Sequence, residues 1–307
     1  MNLIAGVVVA ALGLVIAILS ILGVVPGLTG TGVGMILFGG VMIGMSFINK
    51  APTEGPAEMS TPSTLLNIFV SPSETFQALR QNPKWLVAVL VMTLLSVTYS
   101  NLFMERLTVE RVANYSIDKT LELPMMNDEA RRGIEAGRAQ AIADAKSPVT
   151  RVAGIFSSFA GSVVVFALLG LLFFLVVTAF GGSIYYWQAF TIGVYAAFPV
   201  AVIRFVLNTI VLYLKDPSEI HPILGQSSLI QDNLSFLVSS AANPVIYTIL
   251  ASLSLLSFYW IWLNATGLRN GGDRVSSSTG WSGALIAYGI IFVFGVTLAL
   301  LFPSFIS

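Results

Sequence analysis

The sequence predicts an all-α integral membrane protein, a polytopic bundle of seven transmembrane helices. Three observations predict it. Only 10% of the 307 residues are charged and 56% are hydrophobic, whereas a soluble domain carries roughly a quarter charged residues. Mean hydropathy is +0.86, so polar side chains are too few to coat a water-facing surface of this size. The charges are also segregated: residues 1–49, 85–104, 152–203, 233–268 and 275–307 carry none. In hydrocarbon a backbone must satisfy its own hydrogen bonds, and a helix of about 20 apolar residues does so across the whole thickness.

The first uncharged run holds two spans, 3–25 and 32–48, separated by Pro26-Gly27 and a short turn. Reading 3–25 as a cleaved signal peptide would require a Lys/Arg-bearing n-region, which is missing. The third span, 85–103, lies between Lys84 and Glu105. The run 152–203 is too long for one span. It divides at Gly181-Gly182-Ser183 into spans at 152–180 and 188–214, with Tyr185, Tyr186 and Trp187 as an interfacial aromatic cluster. The sixth span, 244–266, opens at Asn243-Pro244, and the seventh, 282–302, follows Trp281.

The remaining segments divide the chain. Residues 1–49 read as an N-terminal transmembrane hairpin, 50–62 as a Pro/Thr/Ser/Gly linker and 63–307 as a five-span membrane domain. Within the domain, Ser71-Pro72-Ser73-Glu74 has the pattern of a capping box, with Ser71 as N-cap and Pro72 at the first helical position. It predicts an amphipathic helix over 72–81, with Phe76 opposite Arg80, stopped by Asn82-Pro83. Such a helix lies in the membrane interface or packs on the bundle end, and the two readings overlap. Residues 105–151 carry 8 basic and 8 acidic side chains. They predict a pair of solvated helices outside the membrane, the second starting at Asn127-Asp128-Glu129.

The segment 64–85, TLLNIFVSPSETFQALRQNPKW, resembles the entry segment of prokaryotic Yip-domain proteins. Those proteins show a short hydrophobic run, a Ser/Ala-Pro turn, a helix bearing Phe and a basic residue, then Pro-x-Trp and a span. The resemblance extends over about residues 64–307, and the family's five-span domain matches the five spans expected there. It implies a non-enzymatic membrane-organising or adaptor protein among lipid and membrane-protein partners. Ser71, Glu74, Phe76, Arg80 and Trp85 are then the candidate interfacial or partner contacts. The Asp-Leu-Tyr-Gly-Pro type motif of eukaryotic members has no counterpart in this sequence.

Chemistry of the usual kinds is not signalled. With no Cys and one His, the sequence excludes thiolate and multi-His metal sites. It contains no Walker A, H-E-x-x-H, G-x-S-x-G or dinucleotide fingerprint. No cofactor, catalytic residue or nucleic-acid partner is expected, the last because basic and acidic residues balance at 15 each.

The unusual residue is Arg204, in the fifth span about ten residues before Lys215, or roughly 16 Å along a helix. A cation there costs at least about 2.5–3.5 kcal/mol. Asn208 one turn on, with Asn264 and Ser254 of the sixth span, are candidate partners, and no acidic residue lies within a span. Either Arg204 serves an anion or headgroup in a polar cavity, or it pins helix packing and snorkels. A transporter or channel built on Arg204, Asn208 and Asn264 is the rival functional reading. Small residues at four-residue spacing (Gly30 and Gly34, Gly40 and Gly44, and Ala153, Ser157 and Gly161) predict close helix packing within the chain, or in a homodimer.

Two arguments on topology conflict. The loops at 105–151 and 215–243 hold nine basic residues, the opposite face five. The positive-inside rule therefore places those loops in the cytoplasm. The family resemblance places the N-terminus and the 50–84 segment there instead. The expected location is the cell membrane, with the N-terminus cytoplasmic and the C-terminus outside.

Overall fold

The structure is a computed structural model and describes residues 2–25, 27–48, 59–123 and 126–306. Among these residues every regular element is helical: α1 (Asn2–Ile21), α2 (Thr29–Ile48), α3 (Thr61–Val70), α4 (Pro72–Gln81), α5 (Leu86–Leu107), α6 (Val109–Leu121), α7 (Asp128–Lys146), α8 (Pro148–Ala179), α9 (Tyr186–Leu214), α10 (Leu224–Ser227), α11 (Pro244–Ser252), α12 (Leu255–Gly271) and α13 (Ser277–Leu301), with short 3-10 turns between some of them. Five helices, α1, α5, α8, α9 and α13, are long and apolar enough to cross a membrane. The pair α11–α12 makes a sixth if its two arms count as one span, and the apolar part of α2, Thr29–Gly44, is shorter.

The expected unbroken span at 244–266 is corrected: α11 and α12 meet at a 48° bend. Hydrogen bonds explain why the chain can break there. Tyr288 Oη donates to the Ser252 carbonyl at 2.8 Å. The free N–H groups at the start of α12 go to Asp232, Leu255 to its carbonyl at 3.2 Å and Leu256 to Oδ2 at 3.0 Å. Ser254 Oγ takes the Ser257 N–H at 3.0 Å. Backbone groups that a continuous helix would satisfy are thus met from other segments, the condition for irregular backbone at membrane depth.

The chain divides into two compact units. The first comprises residues 1–94, 152–200 and 260–287. Its hairpin α1–α2 turns at Gly23 and Gly27, whose φ angles of 73° and 85° suit glycine. Gly6 and Gly13 of α1 face Gly32 and Gly39 of α2, so closely that a Cβ on Gly32 would sit 2.6 Å from the Ala17 nitrogen. The expectation that Gly30, Gly34, Gly40, Gly44 and Gly161 pack closely within the chain is therefore corrected. They have open space where a Cβ would go, and the close packing uses glycines seven residues apart instead. Much of the expected linker, 50–58, lies outside the described residues, and Thr61 and Pro62 already belong to α3.

In the same unit, α3 and α4 dock on the bundle end. Ser60 caps α3 by accepting from the Ser63 N–H. Ser71 is the N-cap of α4, but its side chain makes no capping bond; Thr75 Oγ1 instead donates to the Ser71 carbonyl at 3.0 Å. The capping-box expectation is corrected to that extent: Ser71 has φ −132° and ψ 66°, outside the extended region usual for a capping residue. Trp85, Phe190, Trp187 and Tyr186 form an edge-to-face cluster, with Trp85 and Phe190 centroids 5.0 Å apart.

The second unit comprises residues 95–151, 201–259 and 288–307. The helix pair expected within 105–151 is present as α6 and α7, zipped by polar groups. Arg138 donates to Asp118 at 2.7 Å and to Asn114 at 3.0 Å, and Lys146 pairs with Glu110. No residue of α7 is buried. Beneath them, Tyr99, Phe103, Leu107, Leu212, Ile220 and Leu229 close an apolar core.

Candidate functional site

The site is assembled by the segment after α9, residues 215–243. This segment is not a free loop. Arg111 of α6 donates to the Pro217 carbonyl at 2.6 Å and the Ile220 carbonyl at 3.2 Å. Tyr99 of α5 donates from its buried hydroxyl to the Gly225 carbonyl at 2.7 Å. Asn208 of α9 accepts, on its Oδ1, the backbone N–H groups of Leu229 at 2.9 Å and Ile230 at 3.2 Å. His221 accepts on Nδ1 from the Ile223 and Leu224 N–H groups, both at 3.1 Å, which fixes the tautomer with the proton on Nε2 facing Tyr115 Oη at 3.1 Å.

Held this way, the segment roofs a cavity of about 360 Å³ in the second unit, walled also by α9, α11 and the start of α12. Arg204 lines it, as do Asp232, Tyr247 and Ser257. Among the described residues the Arg204 guanidinium has no hydrogen-bond acceptor, and the residue keeps exposed surface. Its charge partner is Asp232, close enough to act electrostatically.

The structure keeps one of the expected partners near Arg204 and redirects it. Asn208 is buried, but its carbonyl oxygen serves the roof backbone. Asn264 belongs to the first unit and donates within its own helix, to the Trp260 carbonyl at 2.8 Å. Ser254 lines the cavity, with its hydroxyl on Ser257 and not on Arg204. The expectation placed no acid within a span, and Asp232 lies outside the helices, in the roof, from where it acts on Arg204 electrostatically. The sequence did carry a signal for it: Asp232 is the last charge before an uncharged run of 36 residues, so it borders the apolar segment that holds α11.

The other candidates cluster in the first unit. Phe76 is fully buried, against Gly267 and Ile192. Trp85 is buried on Phe190. Arg80 pairs with Asp273, and its carbonyl accepts from Gln188 at 2.6 Å. Glu74 is exposed, beside exposed Ser73 and Gln77. The segment is thus riveted to the unit by three of the five residues, with only the α4 outer edge left open. On α3 the exposed side chains are apolar: Leu66 at 70%, Val70 at 83%, and Phe69.

Residues 66–301 match the Yip1 domain. The chain belongs to the Yip family. The match takes in α4 to α13 entirely, with the second half of α3, and leaves the α1–α2 hairpin outside the family domain. No curated protein and no solved structure matched the chain. As a Yip-family member with several apolar helices of spanning length, it is a multi-pass membrane protein in contact with the lipid bilayer.

Proposed function

We propose that this Yip-family protein is a non-enzymatic membrane organiser that works through the α3–α4 pair at the membrane interface. The observation that carries the reading is the outward apolar face of α3. Thr64 and Ile68 anchor the helix inward and Phe69 rests edge-on against Phe198, while Leu66 and Val70 point away from the unit. Ten residues make about 15 Å of helix, half the roughly 30 Å of a hydrocarbon core, so α3 cannot cross. A helix with an apolar outer face beside the first span of the domain inserts shallowly and spreads one leaflet. The exposed edge of α4, with Glu74, is where a membrane-protein partner or a second copy would meet it. Seven spans follow when α2 and the bent pair are each counted as crossing, with the N-terminus cytoplasmic.

The test uses the full chain, reconstituted in vesicles with a polarity-sensitive dye on Val70→Cys. The chain has no native Cys to remove. Emission should shift to the blue and be quenched by lipids labelled near the headgroup. Leu66→Glu with Val70→Glu should abolish any change in vesicle size or shape that the wild-type protein causes. A water-like spectrum, or vesicles that respond to the double variant as to the wild type, overturns the reading.

A transporter or channel is the second reading, favoured by the Arg204 cavity beside a broken helix, an arrangement found at substrate sites of transporters. Solute or ion flux in proteoliposomes that is lost in Arg204→Gln would establish it.

A further inference from the structure

We propose that the Arg204 cavity holds the headgroup of a zwitterionic phospholipid bearing a primary ammonium, its phosphate on Arg204 and its ammonium on Asp232. The proposal rests on α9 lying in the bilayer and is independent of the α3–α4 wedge.

The argument begins with the unfilled donors. A guanidinium presents five N–H groups in a planar fork, a geometry that matches two phosphate oxygens. At Arg204 the described protein supplies none of the acceptors, although the roof, α11 and the start of α12 all border the same space. Asn208, one turn away, is committed to Leu229 and Ile230. Ser254 and Ser257 pair with each other at 2.8 Å. A cation at membrane depth needs acceptors, and the cavity is where they would come from.

Charge then selects the ligand. The lining holds two cations, Arg204 and Lys215, and two anions, Glu219 and Asp232. His221 adds none, since its Nδ1 lone pair is occupied by two backbone N–H groups. A balanced lining favours a balanced ligand over an anion. Asp232 spends Oδ2 on the Leu256 N–H and keeps Oδ1 as an acceptor, which suits an ammonium with N–H donors better than a quaternary one.

Size and surroundings select a lipid. About 360 Å³ is at the lower end of the roughly 300–1,000 Å³ of small-ligand pockets. It admits a headgroup and excludes acyl chains. The walls continue into exposed apolar side chains, Leu207 and Ile210 on α9, Ile246 on α11 and Leu253 at the break, along which chains would lie.

The test is binding to the purified, delipidated full chain in detergent by native mass spectrometry. The probes are dioleoyl phosphatidylethanolamine, phosphatidylcholine and phosphatidylglycerol, and soluble glycerophosphoethanolamine. The ethanolamine lipid should bind about tenfold tighter than the other two, and Arg204→Gln should remove that preference. Arg204→Lys, keeping charge without the fork, should fall between. Asp232→Asn retains a side-chain acceptor for Leu256 and should turn the preference toward phosphatidylglycerol. If Arg204→Gln does not fold, the change of preference in Asp232→Asn decides the matter. Phosphatidylglycerol binding as well as the ethanolamine lipid in the wild type, or unchanged selectivity in Asp232→Asn, overturns the proposal. Equal binding of glycerophosphoethanolamine overturns the lipid as source.

Discussion

Asn208 holds the roof of the cavity by one atom: its Oδ1 accepts from both Leu229 N–H at 2.9 Å and Ile230 N–H at 3.2 Å. Asn208 and Leu229 are both buried. Asn208→Leu, similar in size, would strand two backbone donors, and a buried unsatisfied group costs about 1–3 kcal/mol. We expect a loss of about 2 kcal/mol or more in stability, seen as a lower midpoint in denaturant titration in mixed micelles. A midpoint equal to that of the wild type would show that water replaces Asn208.

Tyr99 makes the deeper attachment, from α5 to the Gly225 carbonyl at 2.7 Å, with Phe103 packed where a Gly225 side chain would be. Tyr99→Phe removes one hydrogen bond and preserves the ring, so the expected cost is about 1–2 kcal/mol. Gly225→Ala should cost more, since its Cβ would meet Phe103 at 2.9 Å, Ile220 at 3.0 Å and Leu229 at 3.0 Å. Thermal melts of the two variants in the same detergent check the order.

The five helices of spanning length were legible because the bilayer imposes one rule, and uncharged runs record most of each of them directly. So was α4, which begins at Pro72 and ends at Gln81 as Pro72 and Asn82-Pro83 demand. The roof was not legible. Asn208, Asp232 and Leu256 lie at wide spacings in three segments, and only the fold brings them together. The broken helix hid for the same reason, since residues 244–266 are apolar on both sides of the break and the groups that end α11 and start α12 are Tyr288 and Asp232. Phe76 and Arg80 were expected on different faces of α4, but four residues apart they share one, and their partners Gly267 and Asp273 sit almost two hundred residues on.

The α1–α2 hairpin offers a sharper contrast. A Cβ on Gly39 would lie 2.6 Å from the Ala10 nitrogen, whereas one on Gly40 would meet nothing. Gly39→Val should separate the two helices and lower the melting temperature. Gly40→Ala should be neutral or stabilising by about 0.5–1 kcal/mol, from helix propensity alone. If both lower stability alike, the hairpin packs through the Gly40 face and the glycine register is wrong.

Thr108 caps α6, accepting from the Arg111 N–H, while holding a φ of 69°. With φ 69° and ψ 141° Thr108 lies outside the left-handed helical region that asparagine tolerates, in backbone space that suits glycine. Thr108→Gly, which loses only about a few tenths of a kcal/mol as a cap, should therefore stabilise the α5–α6 corner by about 0.5–1 kcal/mol. Thr108→Ala, which loses the cap and keeps the positive φ, should destabilise it. Hydrogen exchange at the first turn of α6 resolves the two directions.

The α6–α7 cap should loosen in acid. The hydrogen bond from Lys146 holds the Glu110 carboxyl below its ordinary 4.5. A carboxyl with a lowered folded-state value contributes stability above its unfolded value, and that contribution disappears as pH falls through the folded one. Asp216, lowered by the Ser218 hydroxyl and backbone N–H at the start of the roof, acts in the same direction. Amide exchange in α6 and α7, corrected for intrinsic rates, should hold steady from neutral pH to about pH 5 and accelerate as pH falls from about 5 to 3. Lys146→Met removes the partner, so exchange in α7 should already be faster at neutral pH and the dependence on acid should flatten. An acid response of unchanged size in that variant would place the sensitive carboxylates elsewhere, with the Arg138 contacts to Asp118 and Glu135 next to be tested.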